Sequence, residues 1–345
     1  MSAALPTTID CPVASADLPE ELRIYFADHK RGEHFFNPWT EPLEARFAEF
    51  LRWRTSRNPW ARAKRKTPRP IVLDDAVGHF LNQPPDGRIA WLGHASLLIQ
   101  IDGLCILIDP ILGRIGGVMP RKAAAPIKVD ELPEIDVVLI SHGHYDHLDA
   151  GSLKALSRRF GDRLLFVTPL GLSRALPARC NRRIELDWWQ SIELSGTELH
   201  LVPAQHWHKR TFSDTNKALW GGWVVRGSST VYHSGDTGYF GGFSAIGHLF
   251  PGIDVASLPI GAYEPRWFMK PQHMNPSESI QALQDLGAAR MIAMHWGTFD
   301  LSDEPIDEGT RAVQQAIDGA KLEANRIHVL PHGGSLALQS AEVLS

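Results

Sequence analysis

This chain of 345 residues is poor in cysteine: Cys11, Cys105 and Cys180 stand far apart, and no Cys-x-x-Cys pair occurs. That spacing offers neither a disulfide framework nor a thiolate zinc cage, and it suits a reducing compartment. No apolar run approaches ~18 residues, so no segment reads as membrane-spanning. The N-terminus lacks a basic stretch followed by an apolar one, and no signal peptide is read there. The Gly-x-Ser-x-Gly pattern is missing, which removes the serine elbow of many hydrolases. There is no excess of charge: the net value is -4, with 21% charged and 43% hydrophobic residues. Bulk charge therefore gives no argument for nucleic acid, and no such partner is expected. Neither a short-period repeat nor a low-complexity tract interrupts the chain. Tyrosine is scarce, five against eleven tryptophans; tryptophan suits cores, pockets and membrane interfaces alike. The expectation is a cytoplasmic protein, with peripheral contact to a membrane left open.

What the chain does have is histidine in one place. Ser141-His142-Gly143-His144-Tyr145-Asp146-His147-Leu148-Asp149 puts three of the 16 histidines within six residues. The apolar run Val137-Val138-Leu139-Ile140 before it reads as a buried strand. After it, Leu153, Leu156 and Phe160 recur at helical spacing. The cluster then lies on a strand-to-helix loop, where a scaffold holds ligands without enclosing them. Imidazole with carboxylate suits zinc, iron or manganese. On such a loop His142 and His144 point one way, while Asp146 and His147 fall on the turn into the helix and face a second ion. A solvated His-rich loop is the bland alternative; it explains one histidine better than four ligand-type residues in six positions.

Upstream, residues 1 to about 20 are Pro-rich and polar and read as a loose arm. Gly32 to Trp39 is aromatic and turn-like. Leu43, Phe47, Phe50 and Leu51 predict a short amphipathic helix. Arg52 to Arg69 holds eight Lys or Arg and no acid, with Trp53 and Trp60 interleaved. It reads as a solvated connector with its tryptophans docked, as a surface for anionic lipid, or as a nucleic-acid tract. These segments make up an N-terminal extension, residues 1–85, ahead of a main domain, 86–345.

In that domain Ile89–His94 and Ser96–Ile101 read as strands, and Asp102-Gly103 as a hairpin turn into Leu104–Ile108. Further strands are predicted at 164–166, 198–202, 223–225, 230–232, 255–259, 291–294 and 327–330. The clearest helix is capped by Asn275, with Pro276 at its first position and Glu278 completing a capping box. Hairpins first, then alternating strands and helices, predict a layered α/β architecture. Three candidate ligands stand alone at strand ends: His206, Asp236 between glycines, and His295. Each by itself is more simply a hydrogen-bonded structural residue; together they describe one rim.

The order His-x-His-x-Asp-His, then His, Asp and His resembles the metallo-β-lactamase superfamily. The resemblance implies an α/β four-layer αβ/βα sandwich and two divalent metal ions, zinc first, with iron or manganese as alternatives. It implies that His142, His144 and His206 hold one ion, Asp146, His147 and His295 the other, and that Asp236 bridges them. Asp236, Asp146 and His295 form its catalytic centre. His144 occupies the position where flavodiiron relatives carry glutamate, which implies the hydrolytic branch.

Trp91–Ala95, Ile108–Ile111, Ala204–Trp207, Lys209–Thr211, Gly235–Tyr239, His295–Phe299 and above all Pro259–Lys270 are similar to the N-acyl phosphatidylethanolamine-hydrolysing phospholipase D branch. Asn37-Pro38-Trp39 also looks similar. Gly143 departs from it, since mammalian members carry a bulkier polar residue there, and is expected to matter little. This likeness implies a phospholipid substrate, cleaved to N-acylethanolamine and phosphatidic acid by a metal-bridging hydroxide, with Tyr145, His273 and Gln272 contacting it. Asp109 orients a ligand histidine or merely shapes a turn; His94 and His332 are weaker candidates. Trp188-Trp189 and residues 266–269 line an acyl groove or belong to the core. Another substrate (a lactone, a cyclic phosphodiester or nucleic acid) is the alternative, and a degenerate, non-catalytic fold a third reading. A homodimer is an assembly the sequence leaves open.

Overall fold

The computed structural model describes residues 5–10, 18–41, 47–85, 87–320 and 323–338. The elements run β1 (Lys30–Arg31), β2 (His34–Phe35), α1 (Phe47–Thr55), α2 (Ala61–Lys64), α3 (Ala76–Leu81), β3 (Gly87–Gly93), β4 (Ser96–Ile101) and β5 (Leu104–Ile108). Then come β6 (Val137–Leu139), α4 (Ala150–Phe160), β7 (Leu165–Pro169), β8 (Arg182–Leu186), β9 (Ser191–Leu194), β10 (Thr197–Val202), β11 (Gly222–Arg226) and β12 (Thr230–His233). The chain continues through α5 (Gly242–Leu249), β13 (Val255–Pro259), α6 (Arg266–Met269), α7 (Pro276–Asp285), β14 (Arg290–Met294), α8 (Glu308–Ala320), β15 (Ile327–His328) and β16 (Ser335–Ala337).

Two seven-stranded sheets form, ordered β16-β3-β4-β5-β6-β7-β8 and β15-β14-β13-β12-β11-β10-β9. In each, an antiparallel half meets a parallel half. Alternation along the first sheet explains the layers. Ile89, Trp91, Leu97, Ile99, Ile106, Ile108, Val137 and Leu139 face the second sheet in the central core. Ala90, Leu92, Leu98, Leu107, Val138 and Ile140 face outward, against Phe80 of α3 and Leu153, Leu156 and Phe160 of α4. The side-chain period of two makes each strand feed both layers. On the second sheet's far side, α5, α7 and α8 supply Phe243, Ile246, Ile280, Leu283, Val313 and Ile317. This is the expected helix-sheet-sheet-helix sandwich. Each such aliphatic side chain contributes about 1.5–3 kcal/mol by burial.

The predicted Asn275 cap is present, with the full capping box and Pro276 at the first position. The 102–103 turn has both residues left-handed (φ 50° and 81°), as a tight hairpin requires. Besides the short hairpin β1-β2, three strands of the two large sheets depart from the sequence reading. The charged edge strand β8 reads Arg-Arg-Ile-Glu-Leu and buries only alternate positions; β9 and β16 are four and three residues long.

The N-terminal region is more integrated than an arm. Ile9 and Ser191 exchange both backbone hydrogen bonds, at 2.8 Å each, because edge strand β9 offers unpaired groups. Residues 1–4 and 11–17, including Cys11, lie outside the described residues. Tyr25 and Phe35 belong to the central core, and Gly32 turns the small hairpin β1-β2. Leu43, the start of the predicted amphipathic helix, lies outside the described residues; Phe50 and Leu51 of α1 are exposed. Trp188 and Trp189 are core residues, their indoles donating to Trp220 O and Tyr25 O, so they line no groove. No helix among the described residues is long and apolar enough to cross a membrane.

Candidate metal centre

The parallel strand order brings the C-terminal ends of β5, β6, β12 and β14, the end of β10, and the β3-β4 turn to one edge between the sheets. Three residues there are left-handed without being glycine: His94 (φ 53°), Asp109 (43°) and His295 (62°). Such backbone persists where surrounding contacts over-determine it, commonly at functional sites. Gly235 (φ 58°) permits the turn before Asp236; a Cβ there would sit 2.7 Å from Gly221 O. Asp149 caps α4 by accepting from Ser152 N, which ends the ligand loop in a fixed position.

All seven expected ligands meet at this edge. His142 Nε2 lies 3.0 Å and His206 Nε2 3.1 Å from His144 Nδ1. Asp236 carries the contact onward: its Oδ2 is 3.9 Å from His142 Nε2 and 3.2 Å from His147 Nε2, and its Oδ1 is 3.0 Å from His295 Nε2. Asp146 Oδ2 lies 3.9 Å from His147 Nε2 and 4.0 Å from His295 Nε2. The ring of His94 lies 4.0 Å from that of His295, tilted by 38°, and its Nε2 is 3.1 Å from Asp146 Oδ2. His94 thus joins Asp146, His147 and His295 in one potential ligand group, beside His142-His144-His206, His142-His147-Asp236 and Asp236-His273-His295. In the sequence His94 is a weaker candidate, because its only local signal is a Gly-His pair in a strand-to-strand turn.

The donor set fits a metal. Three imidazole nitrogens that converge within about 3 Å cannot satisfy one another, since a neutral ring has one donor and one acceptor nitrogen. His147 Nε2, His295 Nε2 and Asp236 Oδ1 are buried with no aligned hydrogen-bond partner. Buried polar groups are rarely left so, and a cation among them resolves the conflict. Burial pushes the His142 and His206 pKa values well below the usual range, keeping both rings neutral. At His147 burial acts the same way, but Asp236, Asp109 and Asp146 outweigh it and raise the pKa. Burial opposes ionisation of Asp236, yet His147 and His295 hold its pKa well down.

Supporting contacts fix the rings. Asp109 Oδ2 lies 2.7 Å from His147 Nδ1, and its Oδ1 accepts from Ser141 N at 2.7 Å. Both readings of Asp109 are therefore realised: it shapes a turn and it orients a candidate ligand. Gln272 reaches the site through its carbonyl, 3.2 Å from His206 Nδ1. Asn37 Nδ2 donates to His206 O at 2.9 Å, and Trp39 Nε1 to Gln205 Oε1 at 3.2 Å. His273 Nδ1 is 3.9 Å from Asp236 Oδ2.

Tyr145 stands apart from the cluster. It is half exposed, its hydroxyl donates to Arg210 O, the Arg210 guanidinium lies 4.1 Å over its ring, and it lines a cavity of about 630 Å³. His332 is outside the cluster, 2.9 Å from Thr298 Oγ1. Gly143 matters more than its sequence suggested. A Cβ there would lie 2.2 Å from His208 Cε1 and 2.8 Å from Leu172 Cδ1, so any side chain forces His208 to move.

Residues 105–296 match the model of the β-lactamase superfamily domain. The chain belongs to that superfamily. It is 34% identical over 233 residues to a metal-dependent hydrolase of Methanopyrus kandleri, a match that covers 66% of this chain and 92% of that relative. It is also 36% identical over 228 residues to an N-acyl-phosphatidylethanolamine-hydrolyzing phospholipase D of Caenorhabditis elegans; the match covers 61% of this chain and 64% of that relative. Among solved structures, Igni18, a metallo hydrolase of Ignicoccus hospitalis, aligns at a TM-score of 0.56 and 23% identity, over 72% of this chain and 97% of that one. That likeness shows the superfamily's fold.

Proposed function

We propose that this chain is a metal-dependent hydrolase and that it cleaves the phosphodiester of N-acyl phosphatidylethanolamine. Water adds across the P–O bond to the ethanolamine oxygen, giving phosphatidic acid and N-acylethanolamine, which leaves with a proton on that oxygen. The observation that carries the reading is the convergence of unpartnered imidazole and carboxylate atoms between His142 and His295, in a chain 36% identical to a phospholipase D of that specificity.

We assign His142, His144 and His206 to one divalent cation, Asp146, His147 and His295 to a second, and Asp236 to both; His94 stands ready to adjust the second set. Zinc suits these donors. Bound there, two such ions supply Lewis-acid charge at the phosphoryl group and make water a nucleophile at neutral pH. The protein's own part is orientation. Asp109 keeps the His147 ring turned so that Nε2 faces inward, and the Gln272 carbonyl does the same for His206. His273, on the turn before α7, presents Nδ1 to the site without a partner, positioned to donate to a phosphoryl oxygen or the leaving oxygen. Tyr145 and Arg210 form the rim, where a lipid head group enters.

The test is phospholipid turnover followed by mass spectrometry on wild type and Asp236→Asn, with metal content measured on both. Release of both products by wild type alone supports the reading. Wild type that carries metal but leaves the lipid intact sinks the substrate assignment; a screen of lactones, cyclic phosphodiesters and nucleic acids then follows.

A further inference from the structure

A second concave site lies away from the metal cluster. The basic segment at residues 64–69 crosses the loops at 121–124 and 300–306, enclosing a cavity of about 480 Å³. Lys64, Arg69, Arg121 and Lys122 line it, against one carboxylate, Asp300. In a chain whose net charge is -4, this clustering is not a by-product of a basic composition. Two segments more than fifty residues apart in sequence contribute to it.

The four cations have different duties. Lys64 is turned inward, paired with Asp300 and donating to Ser302 O. It is thus unavailable to a flat membrane surface, unlike its exposed neighbours Arg62, Arg65 and Lys66. Arg121 gives three of its five N–H groups to the carbonyls of Ala123, Ile111 and Leu92, which fixes its charge in the floor. Arg69 and Lys122 are exposed at the mouth, and their side chains have no hydrogen-bond or ion-pair partner among the described residues. A positive floor with two free donors at its mouth is the arrangement that recognises a compact, doubly charged oxyanion: low-dielectric walls focus the field, and charge-assisted hydrogen bonds fix the ligand.

We propose that this cavity binds a phosphomonoester anion, gripped by Arg69 and Lys122 over the charge of Arg121 and Lys64. The phosphate belongs to a soluble metabolite or to a lipid head group; the chemistry is shared and the experiment separates them. The floor is joined to the metal edge, since Lys122 N donates to Thr298 O and Thr298 Oγ1 accepts from His94 N. Binding itself is independent of the substrate proposed above.

Glycerol 3-phosphate binding is measured by calorimetry, and co-sedimentation is measured with phosphatidylcholine vesicles with and without phosphatidic acid. The proteins are wild type, Asp236→Asn and Arg69→Gln/Lys122→Gln. The Asp236 variant separates this cavity from phosphate captured at the metal centre. Expected is saturable binding that survives Asp236→Asn and weakens about tenfold or more in the double variant, as loss of charge-assisted donors entails. Binding of glycerol 3-phosphate identifies a soluble ligand; binding of acidic vesicles alone identifies the head group. Both variant side chains are exposed, and an unchanged melting profile verifies that the double variant is folded; Arg69→Lys, which keeps the charge, retains binding. Equal affinity in wild type and the double variant, or no binding of either probe to wild type, overturns the proposal.

Discussion

The two halves of the metal edge are built from different materials. His142, His144 and His206 meet as neutral imidazoles, and His206 is steadied from outside the sandwich by Asn37 and by the Gln272 carbonyl. Around His147 and His295 the neighbours are carboxylates: Asp146, Asp109 and the shared Asp236. The halves are about equally buried, each with one partly exposed residue, His144 in the first and Asp146 in the second, while His147 and Asp109 are wholly buried. Anionic donors in a dry pocket hold a divalent cation more strongly than neutral ones. If each half holds one ion, as proposed above, the comparison predicts unequal affinity: dialysis against a graded series of chelator removes one equivalent of metal first, from the imidazole half. Simultaneous loss of both ions would erase the distinction.

Asp236→Asn attacks what the halves share. It removes charge from both sets at once, and the expected loss of turnover on the proposed phosphodiester substrate is on the order of 10³-fold or more, about 4 kcal/mol of barrier. Metal content falls in parallel, while the fold survives because amide and carboxylate are nearly isosteric. A variant with full metal and full turnover would remove Asp236 from the centre.

Asp109→Asn attacks the carboxylate half alone. The His147 ring loses the charge that orients it, and affinity for the more tightly held ion drops by about 10–100-fold. The imidazole half is spared. A chelator titration of wild type and variant, read by elemental analysis, gives the answer; an equal weakening of both ions would mean that Asp109 acts on the whole edge through the turn it shapes. Asn37→Ala is the mirror experiment. It takes the Asn37 donor from His206 O at a cost of about 1–3 kcal/mol, while Trp220 Nε1 keeps Ala204 O, and the more weakly held ion is released at lower chelator.

The same contrast explains what could be read in the sequence. The 141–149 run announces itself because a buried strand, a turn and a helix are consecutive there, and local periodicity marks each. His206, Asp236 and His295 carry only a weak local mark, a place at a strand end, since each depends on strand order to reach the edge; their order along the chain, matched to a known family, strengthens it. His94 was undervalued for a related reason. It sits in the β3-β4 turn at a left-handed φ, and nothing in Leu-Gly-His-Ala reveals that the turn closes over His295. The role of Asn37 and Trp39 was invisible too: aromatic and amide residues without periodicity read as a turn, while their partners lie more than 160 residues away. Strand β8 escaped because its outer face carries arginines, as an edge strand's should.

Gly143 offers the smallest and most local test. It lies between His142 and His144, the two imidazoles assigned above to one ion, and the space a side chain would need is filled by His208. Gly143→Ser overpacks that contact and costs about 1–3 kcal/mol, seen as a lowered melting temperature and as early release of the weaker ion. His208→Ala vacates the space, so the double variant recovers most of the loss although each single change is unfavourable. Such coupling is what a direct contact produces and what two distant, independent sites do not. Simple additivity in the double variant would place the cost elsewhere, in the backbone of the ligand loop rather than in its packing against His208.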